Sequence, residues 1–286
     1  MIDLHIHTTC SDGTYTPEEV VELAKEKKLE VIAITDHDTI DGVKRGAKKA
    51  KELGIEFING IELSTNYQGK EIHILGYFLN LDDEKLVNKL QELRNQRVTR
   101  TDKIIEQLKE YKIEITKEEV MKEVKGDLIS RTHIASVLLK KGYVDTRKAA
   151  FRRYLGDTGA AYVPRRNFTP IDAVKMLKEN GALAFIAHPK LIPWGEKKTF
   201  KLVDELKEIG LDGLETYYPS FREIDKIYYK KMCEKRGMIP SGGSDFHGGN
   251  RNNISLGIAN VQNEVYEKMV ERLNQNKIIL KVKESQ

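Results

Sequence analysis

Short apolar runs alternate with longer amphipathic segments along most of the 286-residue chain. The runs have the length and composition of buried strands and are Ile2–Ile6, Val31–Thr35, Phe57–Leu63, Ile72–Phe78, Leu183–Ala187, Gly213–Thr216 and Met238–Ser241. Most of the segments between them show the spacing of apolar residues that is typical of an amphipathic helix. This alternation of strand and helix predicts an α/β protein with a parallel barrel or a wound sheet.

Helix boundaries are marked in the sequence. Thr16-Pro17-Glu18-Glu19 combines a Thr N-cap, a proline in the first turn and a glutamate that can complete a capping box. Glycines follow several amphipathic runs and are candidate C-caps, at Gly54, Gly142, Gly181, Gly210 and Gly237. These signals support helices between the predicted strands.

The alternation breaks between about Leu86 and Asn167. Four helical segments, Lys85–Lys112, Thr116–Lys125, Arg131–Lys141 and Thr146–Leu155, follow one another there without convincing strands. A second capping box at Thr116 supports ordered helices in this region. We therefore predict a small helical domain at residues 86–166, inserted between two parts of one α/β domain at residues 1–85 and 167–286.

Charge is unevenly distributed along the chain, although the net charge is only +4. Residues 92–166 contain 18 Lys and Arg against 11 Asp and Glu, a net charge of +7, so the remainder carries −3. A basic helical insert in a slightly acidic protein suggests a surface that receives an anion. The alternative is an ordinary solvated charged face.

Composition indicates a protein without a membrane span. Hydrophobic residues make up 40% and charged residues 32% of the chain, and no stretch approaches the ~20 apolar residues that a membrane span needs. The chain begins directly in the first predicted strand without a secretory leader, so we expect a cytoplasmic location. Cys10 and Cys233 are too few for a disulfide framework and are expected to be reduced thiols.

Most of the histidines stand in motif-like settings beside acidic residues or glycines. His5 and His7 are two apart in a predicted strand, which directs both imidazoles to the same face. Candidate polar residues lie at or just after the predicted carboxyl ends of strands, at His7, Asp12, His37, Glu62, His188, Glu215, Asp245 and His247. The active sites of α/β barrels are built at that end. His73 lies within its strand, where it could still reach the barrel mouth.

Five segments resemble motifs of the polymerase-and-histidinol-phosphatase (PHP) family of metal-dependent phosphoesterases, in matching order and spacing. They are Asp3–Gly13, Ile34–Thr39, Gly60–Glu62, Ala187–Pro189 and Gly243–His247. The resemblance implies a distorted (β/α)7 barrel, TIM-like, which here would carry the inserted helical domain. It also implies a cluster of two to three divalent ions.

The resemblance implies a particular ligand set. One ion would be held by His5, His7, Glu62 and Asp245, and Glu62 would bridge to a second ion that also takes His73 and His188. Asp12, His37 and His247 would bind a third ion. Many family members have histidine where this chain has Asp12, so the third set is richer in oxygen, which favours manganese, or iron, over zinc alone.

The chemistry that follows is hydrolysis of a phosphoester. Divalent ions lower the pKa of bound water from about 15.7 to about 7 and neutralise phosphoryl oxygens, so an anionic substrate is favoured over a neutral amide. Glu62, Asp245 and His188 are predicted to act directly in catalysis as ligands. Glu215 is a candidate for supporting the ligands from outside.

The insert supplies candidate substrate-binding residues. Ser130, Arg131 and His133 open a predicted helix, whose N-terminus favours anions. Arg94, Arg97 and Arg100 recur every three residues; Arg94 and Arg97 are further candidates, and at least one of the three is expected in an exposed charged stripe. For Arg131 a surface ion pair, and for His133 a structural role, remain alternatives. Tyr217 and Tyr218 could stack a base or pack in the core.

The insert motif with Tyr154-Leu155-Gly156 and Ala161–Pro164 resembles the PHP subgroup that removes the 3′-phosphate of nucleoside 3′,5′-bisphosphates, some of whose members degrade short RNA from the 5′ end. The expected partner is therefore a small phosphorylated nucleotide, with short RNA second and no obligate protein partner. Two alternatives remain open. They are a histidinol-phosphate phosphatase on the same barrel, and a non-catalytic PHP module within a larger assembly.

Overall fold

A computed structural model of the protein describes residues 1–126, 128–164, 168–251 and 253–284. In these residues a sheet of seven strands is formed, in the places that the apolar runs predict. The strands are β1 Ile2–Ile6, β2 Val31–Ile34, β3 Glu56–Tyr67, β4 Lys70–Tyr77, β5 Leu183–Ile186, β6 Gly213–Tyr217 and β7 Ile239–Gly242.

The strands lie in chain order across the sheet, but not all of them are parallel. β4 runs antiparallel to both β3 and β5, whereas the other neighbouring pairs are parallel. The prediction of a parallel sheet was therefore wrong at β4. β3 and β4 are joined by only Gln68 and Gly69, both with positive φ, and a two-residue connection of this kind makes an antiparallel hairpin.

The sheet curls until the segment after β7 meets β1. The Asp245 amide donates to the His5 carbonyl at 2.8 Å, and the His7 amide donates to the Phe246 carbonyl at 2.9 Å. Packing shows the same curvature. Ala33 of β2 belongs to the same apolar cluster as Phe185 of β5, although β2 and β5 are not adjacent strands. The side chain of the preceding residue, Ile32, points to the other face of the sheet and packs against helix residues. The predicted distorted (β/α)7 barrel is confirmed.

The described helices cover the barrel and form the insert. They are α1 Pro17–Glu26, α2 Val43–Leu53, α3 Glu84–Glu110, α4 Lys117–Met121, α5 Arg131–Lys140, α6 Arg147–Ala150, α7 Pro170–Glu179, α8 Glu196–Lys207, α9 Glu223–Glu234 and α10 Asn263–Glu284. Thr16 and Thr116 make the predicted capping boxes, and the five predicted C-cap glycines all have positive φ. α6 continues as a π-helical turn, Phe151–Leu155. Over the described part of the chain, no helix combines the length and apolar character of a membrane span.

The long helix α3 connects the barrel and the insert. Leu86, Leu90 and Leu93 in its first half pack into the core between the sheet and its covering helices. Ile104, Ile105 and Leu108 in its second half belong to a separate apolar cluster with α4, α5 and α6. The packing thus changes within α3, downstream of the predicted boundary at residue 85. The other predicted boundary, between residues 166 and 167, lies outside the described residues.

Candidate metal centre

The nine predicted ligands converge at one end of the barrel. His7, His37, His188, Asp245 and His247 follow the ends of their strands, and Asp12 lies in the loop between β1 and α1. Glu62 lies within β3, not at its end as expected, because β3 and β4 continue beyond the barrel as a hairpin. Since β4 runs in the opposite direction, this hairpin also brings His73 to the same end.

Glu62 lies at the middle of the cluster and is buried. Its two carboxylate oxygens face different imidazoles. Oε2 lies 3.3 Å from His5 Nε2, 3.2 Å from His7 Nε2 and 3.0 Å from His37 Nδ1, and Oε1 lies 2.8 Å from His73 Nδ1 and 3.1 Å from His188 Nε2. A carboxylate in this position has the arrangement needed to bridge two cations.

The donors around His5 and His7 are spaced as ligands of a cation would be. His5 Nε2, His7 Nε2 and Asp245 Oδ1 lie 3.1 to 3.5 Å from one another, and Glu62 Oε2 lies within 3.3 Å of both imidazoles. Donors at about 2.0–2.2 Å from a tetrahedral ion would lie about 3.3–3.6 Å apart. The spacing and the mixture of nitrogen and oxygen donors therefore suit a divalent metal.

A second group of donors combines His7, Asp12, His37 and His247, whose ligand atoms lie within 4.8 Å of one another. His247 Nε2 is 3.3 Å from Asp12 Oδ1. His7 Nδ1 is buried and makes no hydrogen bond, and the buried His37 Nδ1 lacks hydrogen-bond geometry to Glu62 Oε2, although the two atoms are 3.0 Å apart. Buried polar nitrogens without hydrogen-bond partners are rare, and a cation would satisfy them.

The groups of donor residues overlap more than the family resemblance implies. His7 belongs both to the group with His5 and Asp245 and to the group with Asp12, and His37 also lies close to Glu62 and His73. Each imidazole has two ring nitrogens on different sides, which allows this sharing. The assignment of each ligand to one ion stays a prediction.

In two of these imidazoles, the outer ring nitrogen, which points away from the centre, lies close to an oxygen atom. His5 Nδ1 lies 2.9 Å from Glu215 Oε1, and His247 Nδ1 lies 2.8 Å from the Asp245 carbonyl. Glu215 is fully buried and also accepts the His188 amide at 2.7 Å. An acceptor behind the ring places the proton on the outer nitrogen and directs the lone pair of the other nitrogen to the centre.

The loop that carries Asp12 is fixed by Asp36 from the end of β2. Asp36 accepts from the Thr8 amide at 2.7 Å and from the Thr8 hydroxyl at 2.6 Å. Gly13 follows Asp12, and a Cβ there would lie 2.5 Å from the His7 carbonyl. The glycine in this motif is therefore required by a close approach of two backbone segments.

Two residues that sequence reasoning did not assign to the centre support Asp245. Tyr218 donates its hydroxyl to Asp245 Oδ2 at 2.7 Å, and Arg251 forms an ion pair with the same oxygen. Tyr218 is buried with its ring against His188, so it packs in the structure and does not present a free face for a base. No sequence signal marked Arg251, which reaches Asp245 only through the fold.

The cluster couples ionised carboxylates to charged imidazoles. Burial opposes the charge on Glu62, Asp12 and Asp245, but the surrounding cationic groups hold their pKa values well below the ordinary range. Burial would lower the pKa of His7 and His73, but neighbouring carboxylates raise it to about 9 and about 10. A cation that binds here must displace these protons.

His37 and Cys10 differ from the rest of the site. Burial lowers the pKa of His37 to about 3, so its imidazole is neutral and available as a donor. Burial raises the pKa of the Cys10 thiol to about 11, and Cys10 belongs to none of the potential metal-binding groups in the described residues. Cys10 and Cys233 are both free thiols, as predicted.

Comparison with known proteins identifies the family. The sequence model of the PHP domain family matches residues 3–158 of the chain. The chain belongs to the PHP family. A 5′-3′ exoribonuclease from Haemophilus influenzae is 33% identical over 86% of this chain and 89% of its own length. A 3′,5′-nucleoside bisphosphate phosphatase from Chromobacterium violaceum is 31% identical over 86% and 87%.

Solved structures agree with this assignment. An amidohydrolase from Chromobacterium violaceum with bound sulfate matches with a TM-score of 0.82 and 31% identity, over 87% of this chain and 88% of that one. A protein from Bifidobacterium adolescentis, assigned as a metal-dependent phosphoesterase, matches with a TM-score of 0.85 and 26% identity over 95% and 96%. The predicted family and the enzyme class, a phosphoester hydrolase, are confirmed.

The N-terminus of α5 brings the insert of this PHP protein to the cluster. Thr132 Oγ1 lies 3.4 Å from Asp12 Oδ2. Ser130 caps the helix, and its amide donates to His133 Nδ1 at 3.1 Å, so the His133 proton is on Nε2. His133 is buried, and burial lowers its pKa. Arg131 forms an ion pair with Glu71 of β4.

The three arginines of α3 do not form one exposed stripe in the PHP fold. Arg97 and Arg100 are buried, while about a quarter of the Arg94 side chain is exposed. Arg97 Nε donates to Asp38 Oδ2 at 2.8 Å, and Arg94 pairs with Asp41. Arg94 and Arg97 therefore tie α3 to the loop after β2, which carries His37. Whether Arg94 or Arg97 also contacts substrate stays a prediction.

Proposed function

We propose that this PHP protein is a metal-dependent phosphatase that removes the 3′-phosphate of nucleoside 3′,5′-bisphosphates. The observation that carries the proposal is the position of Glu62, whose two oxygens each face a separate set of imidazoles. The bisphosphate phosphatase from Chromobacterium violaceum, similar over most of both chains, supports this choice of substrate.

Two to three divalent ions, manganese first and iron or zinc next, would be held by the nine donors. When bound, the ions supply Lewis acidity and make water reactive at neutral pH. Within the chain, Glu62 orients both sets of donors, Tyr218 fixes Asp245, and Glu215 directs His5. Three carboxylates, Asp12, Glu62 and Asp245, face the centre, so two or more dications would leave it positively charged and favourable for a phosphate.

Hydrolysis of short RNA from the 5′ end is a second activity of the same site. Relatives named 5′-3′ exoribonuclease in Haemophilus influenzae and Escherichia coli, at 33% and 29% identity, favour it. Both reactions hydrolyse a phosphoester bond of a nucleotide. We place both activities in the cytoplasm.

The substrate proposal predicts a specific pattern of phosphate release. With saturating Mn²⁺, we expect the highest kcat/KM on 3′,5′-bisphosphates, below them nucleoside 2′-, 3′- and 5′-monophosphates, and the lowest on histidinol phosphate. Release should stop in excess EDTA and return with Mn²⁺, because the ions supply the reactive water. A preference for histidinol phosphate, or no release from any compound by the manganese-loaded protein, would refute the proposal.

Arg131 and His133 remain our predicted contacts for the phosphate that is not cleaved, with Ser130 beside them. We expect Arg131→Ala, assayed at saturating Mn²⁺, to reduce kcat/KM for bisphosphates at least about tenfold more than for an aryl phosphate, since a charge-assisted hydrogen bond is lost. Lys140→Ala on the same helix, where Lys140 pairs with Glu123 at the surface, is the matched control. Equal losses on both substrates would remove Arg131 from substrate recognition.

A further inference from the structure

A continuous chain of side chains leads from the insert to Glu62. Glu71 and His73 are two residues apart on β4 and therefore lie on the same face of the strand. Glu71 Oε1 is 3.3 Å from His73 Nε2, and the other ring nitrogen, Nδ1, is 2.8 Å from Glu62 Oε1. Glu71 Oε2 forms an ion pair with Arg131 Nη2.

The position of Glu71 determines which nitrogen of His73 can bind a cation. A carboxylate beside Nε2 accepts a hydrogen bond from the N–H there, which keeps the proton on Nε2 and leaves the lone pair of Nδ1 directed at Glu62. Glu215 acts in the same way behind His5. Glu71 differs from Glu215 because it is held by a residue of the insert.

Arg131 is itself firmly held. Its Nη1 donates to the Leu155 carbonyl at 2.9 Å, and its guanidinium lies 5.7 Å from the Phe151 ring and 5.9 Å from the Tyr162 ring. Only 17% of the Arg131 side chain and 12% of the Glu71 side chain are exposed, so solvent screens this ion pair less than a surface pair. The insert therefore fixes the Arg131 guanidinium beside Glu71.

We propose that Glu71 is a positioning residue for His73, and that Arg131 holds Glu71 in place, so that the insert sets the affinity of the cation bound by Glu62, His73 and His188. This inference rests on the metal centre proposed above, but not on its substrate. Arg131 then has two roles, one toward substrate and one toward the metal through Glu71.

The test is manganese binding by equilibrium dialysis with metal analysis, without substrate. We expect Glu71→Ala to weaken binding of one ion about ten- to a hundredfold, the usual effect of removing a partner behind a metal-binding histidine. Arg131→Ala should weaken it less, Arg131→Lys should recover most of the loss, and the double variant Glu71→Ala/Arg131→Ala should match Glu71→Ala. Lys140→Ala should bind as the unmodified protein does.

Glu71→Gln guards against a folding defect in Glu71→Ala. Its amide oxygen can accept from His73 or Arg131 but not from both, so binding should weaken while circular dichroism and the thermal midpoint stay unchanged. Normal manganese affinity in both Glu71→Gln and Arg131→Ala would overturn the inference, as would fully additive losses in the double variant. If binding changes as expected but the unmodified protein releases no phosphate, the proposed function fails and this inference stands.

Discussion

Replacing Glu62 with glutamine is expected to lower phosphate release by at least about a thousandfold, since even partners behind metal ligands contribute ten- to a hundredfold. The amide preserves the size of the side chain but removes the charge that faces five imidazoles, His5, His7, His37, His73 and His188. Both sets of donors lose their shared carboxylate at once. Metal analysis should show fewer bound ions per chain, alongside the loss in kcat.

Glu56→Gln is the matched control for this experiment. Glu56 lies on the same strand, but its side chain is exposed and contacts Tyr266 away from the cluster. It should retain the activity and metal content of the unmodified protein. If Glu62→Gln kept its bound ions and its kcat, Glu62 would not be the carboxylate shared by both sets of donors, and the proposed ligand assignment would be wrong.

Replacing Arg97 with alanine is expected to lower the free energy of unfolding by about 3–5 kcal/mol, because breaking a buried ion pair leaves the desolvation cost of the remaining charge. Arg97 and Asp38 are both buried, and Asp38 also accepts the Ser64 amide at 2.7 Å. The pair joins α3 to the segment between β2 and β3. Urea unfolding followed by circular dichroism measures the change.

Arg94→Ala is the control for the loss of Arg97, since it removes the same side chain three residues earlier on α3. Arg94 and Asp41 are partly exposed, so the loss should be at most about 1 kcal/mol. The double variant Arg97→Met/Asp38→Asn should recover part of the stability, because neither charge remains buried. A loss below 1 kcal/mol for Arg97→Ala would show that this pair does not hold α3 to the barrel.

Local patterns predicted most of the fold because each element carries its own signal. Buried strands are short apolar runs bounded by turn residues, and the capping boxes at Thr16 and Thr116 mark helix starts through contacts within four residues. The antiparallel direction of β4 was also readable, since the eight residues between the predicted strands Phe57–Leu63 and Ile72–Phe78 are too few for the crossover that a parallel pair needs, and the structure connects the strands through the Gln68-Gly69 turn. The parallel prediction was wrong because the alternation of strands and helices along the chain was given more weight than this short connection.

The supporting groups of the metal centre were harder to predict than its donors. Glu71 could have been found from its two-residue spacing to His73 on one strand face. Arg251 and Tyr218 could not, because they meet Asp245 only when the segment after β7 closes the barrel against β1. The burial of Arg97 could not be predicted either, since an arginine on a helix is expected to be solvent-exposed unless its neighbours in the fold are known.

By itself, the sequence determined the strands, most helix ends, the family and the residue types able to bind metal, because these depend on short-range spacing and on motifs carried by single segments. Only the tertiary structure decided that Glu62 lies between two sets of imidazoles, that His7 and His37 are shared between groups, and that the insert reaches His73 through Glu71 and Arg131. Those relations join residues far apart in the chain, and their distances are set by how the sheet curls and where the insert packs.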